Sequence, residues 1–217
     1  MIKIRSTYLR LLAVLMLPMA ANADPVVSDF TGGGGPFDSF YGSSNAPDGD
    51  VVGFSFTADV DLTVTDLGVT NAGDNTTLNS AHMVGLWSTT TQALLGSVSV
   101  DNTGTLINGW FYSSLASAIN LTAGMNYVLG AMYTADDGDR YWSGPSTMTM
   151  NFISATTAVF PADGSLGFVY PAQTSGGNLG RLGPNMLATP TAVPEPGTLA
   201  LLGLGLVGMA ARRRKKA

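Results

Sequence analysis

Residues 51–69 read Val-Val-Gly-Phe-Ser-Phe-Thr-Ala-Asp-Val-Asp-Leu-Thr-Val-Thr-Asp-Leu-Gly-Val, and the apolar residues recur with a period of two. Val52, Phe54 and Phe56 alternate with Gly53, Ser55 and Thr57, and Val60, Leu62 and Val64 alternate with Asp61, Thr63 and Thr65. Successive side chains of a strand point to opposite faces, so each run offers one apolar face to a core. At Asp66 the phase slips, because Leu67 and Val69 are odd-numbered. A slip of one residue would turn the apolar set to solvent unless the chain absorbs an extra residue, so a bulge or bend is expected there.

The same pattern continues along the chain. Alternating runs occupy 82–87, 94–100, 110–115, 127–133, 148–152 and 166–170, separated by turn-rich pieces at 71–75, 101–104, 136–139 and 162–164. Short strands at this spacing, without a helical repeat between them, predict an all-β fold, an antiparallel β-sandwich over 51–172. A β-barrel is the alternative, but the long uniform strands and aromatic girdles of a membrane barrel are missing. Residues 24–50 contain Thr-Gly-Gly-Gly-Gly-Pro at 31–36, with no Gly-Lys-Ser/Thr after it, and read as a flexible Gly-rich segment rather than a phosphate loop. Residues 173–192 read as a linker.

Both ends of the 217-residue chain read as transport signals. Residues 1–23 have a basic start, an apolar run from Leu11 to Leu17 and small residues at Ala21 and Ala23. That order is a secretory signal peptide, with cleavage expected after Ala23 and the general secretion machinery as the implied partner. At the other end, Val193, Pro194, Glu195 and Pro196 precede fifteen uncharged residues, 197–211, and then Arg212, Arg213, Arg214, Lys215 and Lys216. Fifteen helical residues span about 22 Å, a short transmembrane helix that the arginine stems can extend. The five cations hold the cytoplasmic side and leave the body exported. Pro194 and Pro196 keep the preceding segment extended and open to a protease.

This C-terminus, 193–217, resembles the PEP-CTERM sorting signal of Gram-negative bacteria. The resemblance implies recognition by exosortase, a membrane-embedded cysteine protease-transpeptidase that cuts near Pro194-Glu195-Pro196. It implies transient anchoring and then the cell surface or extracellular space, usually in species that make exopolysaccharide and biofilm. The body, from about Val51 to Trp142, resembles an uncharacterised β-domain of exported bacterial proteins. The likeness rests on Val52-Gly53-Phe54-Ser55-Phe56, Leu67-Gly68-Val69, Val84-Gly85-Leu86-Trp87 with Leu94-Leu95, and Leu121-Thr122-Ala123-Gly124 leading to Tyr127. It implies a fold and no activity.

Charge is divided as the transport signals are. All fifteen acids lie between Asp24 and Glu195, where only Arg140 and Arg181 oppose them, so that stretch carries −13 and no lysine. Such a body cannot neutralise phosphates, which excludes nucleic acid as a partner. The absence of cysteine excludes thiol chemistry, disulfides and Cys/His zinc sites. His82 is the one histidine, no Gly-x-Ser-x-Gly elbow accompanies it, and it reads as a hydrogen-bonded strand-end residue rather than a catalytic base. The aspartates fall mostly in turns, where a short carboxylate bonds its own backbone. The protein therefore reads as a non-enzyme with no required cofactor.

Two candidate sites remain. Asp136, Asp137 and Asp139 cluster hard oxygen donors of the kind Ca²⁺ takes, although outside the spacing of an EF-hand loop. Tyr141 and Trp142 follow directly and are residue types that stack on sugar rings. The leading functional expectation is an exported structural or adhesive β-sandwich. The alternative is a carbohydrate-binding module, assisted by calcium.

Overall fold

The computed structural model describes residues 23–37, 49–134, 137–162 and 167–191. The signal segment with Ala21, the sorting motif Val193–Pro196, the expected helix 197–211, the basic cluster Arg212–Lys216 and Asp136 lie outside the described residues. The described residues form an all-β structure without a helix.

Two large antiparallel sheets form the sandwich. The first runs in the order β1 (Asp24–Pro25), β16 (Pro184–Pro190), β5 (Leu62–Val69), β9 (Trp110–Leu121), β8 (Thr105–Ile107). The second runs β14 (Gln173–Ser175), β13 (Ile153–Phe160), β4 (Asp50–Ala58), β10 (Asn126–Tyr133), β6 (His82–Ser88), β7 (Leu94–Val100). Two smaller sheets join β15 (Arg181–Leu182), β11 (Tyr141–Ser143) and β3 (Gly34–Phe37), and β12 (Thr147–Met150) with β2 (Val27–Thr31).

The alternation decides which faces meet. Phe54, Phe56, Leu86 and Leu129 of the second sheet share one buried cluster with Leu62, Leu67, Leu121 and Met186 of the first. Apolar burial against the opposite sheet, at roughly 1.5–3 kcal/mol for each fully buried large side chain, is what holds the layers together. The phase slip at Asp66 is a bulge: Val64 and Asp66 pair with consecutive residues of β16, Ala188 and Leu187, and Thr65 is passed over. Toward β9 the same point skips from Ile119 to Ser114. Leu67 and Val69 thereby return to the core face that Leu62 and Val64 occupy.

The outer face of the second sheet is built differently. Gly53, Gly130 and Gly85 lie side by side across β4, β10 and β6. A Cβ on Gly85 would stand 2.5 Å from Trp87, and one on Gly130 would stand 3.3 Å from the same ring. Glycine here is therefore a demand of close approach: it lets the indole come close to the sheet, beside Val51, Val128 and Val159. Of the run at 166–170, expected as a strand, the described residues 167–170 form no strand, and Phe168 covers Trp87 at 5.2 Å between ring centres.

The domain limits are wider than the sequence suggested. Part of the stretch expected to be flexible carries β1, β2 and β3, and the expected linker carries β14, β15 and β16. The outermost of these strands hold each other, and the rest pair with β11, β12 and β13. β1 pairs with β16. The buried amide of Asn185 accepts from Val27 N at 3.2 Å and donates to Val27 O at 2.8 Å. Partners 158 residues apart leave no local signal.

Candidate functional site

The acidic turn sits between β10 and β11 and folds inward. Asp139, with no exposed surface, gathers the segment before β6 onto its carboxylate. Both of its oxygens lie 2.9 Å from Asn79 N, Oδ1 accepts from Asn79 Nδ2 at 3.0 Å, and Oδ2 accepts from Ser80 N at 3.0 Å. Asp137 serves its own turn, accepting from Thr134 N at 2.6 Å, Thr134 Oγ1 at 3.1 Å and Asp139 N at 2.9 Å. Gly138 between them has φ +75°, a conformation glycine adopts without penalty.

His82, the first residue of β6 and 1% exposed, closes this arrangement. Its Nδ1 is 2.8 Å from the Met132 carbonyl and its Nε2 is 2.8 Å from Asp139 Oδ2. A carbonyl can only accept, and an ionised carboxylate can only accept, so the two contacts together assign a proton to each ring nitrogen. Asp137 Oδ2 adds a second negative charge 3.9 Å from Nδ1. Burial alone would lower the imidazole's pKa, but the Asp139 hydrogen bond, the Met132 carbonyl and the two carboxylate charges together raise it above 6.5. For Asp139 burial pushes upward, and the bonds from His82, Asn79 and Ser80 override it and hold the carboxyl below 3.8. For Asp137 burial prevails and the carboxyl is pushed up. The result is an imidazolium–carboxylate pair with a full set of backbone donors.

His82, Asp137 and Asp139 bring ligand-type atoms within 4.8 Å of one another, close enough for a cation in distance alone. The donor chemistry does not suit calcium. Ca²⁺ takes six to eight oxygens, whereas here the space beside the carboxylates is filled by a ring carrying its own positive charge. Each carboxylate oxygen of Asp137 and Asp139 already accepts a hydrogen bond.

Residues 42–176 match the family described as "Domain of unknown function (DUF4082)", more than half of the chain. The chain belongs to the DUF4082 family. Residues 192–215 match the PEP-CTERM protein-sorting motif, which implies an exported, exosortase-targeted protein of the envelope or surface of a Gram-negative bacterium. Among curated proteins, none matches the chain.

In this DUF4082 protein the two residues expected to stack on sugars, Tyr141 and Trp142, do not form a stacking surface. Tyr141 is 2% exposed, with its ring 5.5 Å from that of Tyr133, which in turn lies 4.7 Å from the His82 ring. Its neighbour Trp142 is half-buried and packs toward Phe30 at 6.1 Å. Alternation along β11 separates the two rings, and both are spent on packing. The acidic turn and Tyr141 do converge, as expected of a site, but inside the protein rather than on its surface. Trp87, Trp110 and Tyr112 are buried as well. Nothing in the sequence pairs His82 with Asp139, which lies 57 residues away.

Proposed function

We propose that the mature protein is a non-catalytic structural or adhesive β-sandwich delivered to the envelope or extracellular matrix by exosortase, with export by the general secretion machinery. The reading is carried by the closed acidic turn. The one histidine and the two described carboxylates beside it are engaged with each other and with the backbone, which suits a structural latch and leaves none of these three side chains free to act as base, nucleophile or metal ligand. We further infer that no calcium is needed for the fold. The net −13 of the body keeps copies apart and favours neutral or cation-bridged glycans, exopolysaccharide among them, over anionic partners.

Production of the full chain in a host that carries exosortase tests this reading. The expected species is a surface-associated chain lacking Arg212 to Ala217 by mass spectrometry of its C-terminus. A mature chain that retains those residues would overturn the sorting assignment. Glycan turnover that disappears on His82→Phe would overturn the non-catalytic one.

A further inference from the structure

A second polar region lies at the opposite end of β10 from the acidic turn, and its chemistry is the reverse. A groove of about 440 Å³ opens over Ser55, Phe56, Thr57, Thr89, Asn126 and Ala155, within the size range of small-ligand sites. A defect in strand pairing helps to make it. Ser154 pairs with Thr57 and Thr157 with Ser55, so Ala155 and Thr156 together face Phe56 and β13 bulges there. Ala155 holds φ +53°, a left-handed conformation disfavoured for a residue with a Cβ. The Thr156 hydroxyl on the same bulge is buried without a hydrogen-bond partner.

The lining is neutral. On a body of −13, none of these six residues is ionisable, so a charged ligand finds no counter-charge there. What the groove offers is hydrogen-bonding groups held in place. Thr57 Oγ1 donates to Asn126 Oδ1 at 2.7 Å, which fixes the amide and leaves its NH₂ as a double donor. Thr89 Oγ1 donates to Asn126 O at 2.8 Å, which fixes that hydroxyl and leaves its lone pairs as acceptors. Paired donors and acceptors at fixed spacing match vicinal hydroxyls, each of which both donates and accepts. Ala155 supplies apolar surface for C–H faces.

We propose that this groove binds a neutral saccharide, with the Asn126 amide as the principal donor and Thr57 and Thr89 as the groups that orient it. The sorted, non-catalytic scaffold remains intact if the groove proves empty, so the two assignments fail separately. The test is an amide-resolved NMR titration of the exported protein with neutral gluco-, manno- and galacto-oligosaccharides, with polygalacturonate as the acidic control. The expected result is saturable shifts confined to 55–57, 89, 126 and 155 with at least one neutral sugar and none with the polyanion. Asn126→Asp keeps the shape and removes the donor, and should weaken binding about tenfold. Thr57→Val frees the amide to rotate and should weaken it less, while spectra elsewhere stay unchanged in both variants. Absence of shifts with every neutral sugar, shifts centred on other residues, or an Asn126→Asp protein that binds as the parent does would each overturn the proposal.

Discussion

The two ends of β10 teach opposite uses of polar chemistry. At its C-terminal end, Asp137, Asp139 and His82 carry charge, lie buried and are hydrogen-bonded to the backbone and to one another. At its N-terminal end, Asn126, Thr57 and Thr89 are neutral, reach solvent and keep donors and acceptors to spare. Charge is placed where it closes the fold, and uncharged amide and hydroxyl groups are placed where the fold is open. A charged group that has left water must find partners or lose stability, whereas a neutral polar group at the surface can wait for a ligand at little cost.

The sharpest way to break this contrast is to remove the charge at the closed end. Asp139→Ala strands the His82 imidazolium and the N–H groups of Asn79 and Ser80, and is expected to cost about 3–5 kcal/mol in denaturant unfolding. A loss below about 1 kcal/mol, the level of an exposed ion pair, would place the turn among ordinary surface features. Gly85→Ala tests the outer face between the two ends, since the new Cβ meets Trp87 at 2.5 Å and Phe168 at 2.7 Å. Its expected cost is about 1–3 kcal/mol, by overpacking, with Trp87 fluorescence shifted as the ring is lifted.

The pH profile of stability is a third test. His82 is raised above 6.5, so the stability it contributes is complete below that value and is lost as pH rises through its raised folded-state pKa. Asp139 is held below 3.8, so its contribution is complete above that value and is lost as pH falls through its lowered folded-state pKa. Asp137 acts in the opposite sense, because its raised pKa costs stability as pH climbs from 3.8 through its folded-state value. Urea midpoints should therefore decline on the alkaline side, and His82→Phe should abolish that decline. The smallest effect is expected at the open end, where Asn126→Asp should change stability by no more than about 0.5 kcal/mol.

Legibility in the sequence follows the range of the interactions. The alternation at 52–64 marked β4 and β5, and the change of phase at Asp66 marked the bulge, because each depends on neighbours one or two residues away. β13 was hidden because its own bulge at Ala155–Thr156 breaks the alternation. β16 was hidden because Pro184 and Pro190 frame it as a linker would, and the burial of Asn185 that anchors it depends on Val27 at the far end of the chain. Within the candidate site, the aspartates were visible as a turn. Their role was not, since the ring that meets Asp139 comes from another strand. Tyr141 looked like a surface aromatic beside an acidic turn until that turn proved to face inward.

The direct test of the closed turn is nitrogen-resolved NMR of the His82 ring in the exported protein at neutral pH, with and without calcium. Two protonated ring nitrogens in slow exchange, unmoved by Ca²⁺, are the expected result. A single protonated nitrogen, or a calcium-dependent shift of the His82 ring together with the amides of Asn79, Ser80, Asp137 and Asp139, would contradict it and return the turn to the metal-binding class.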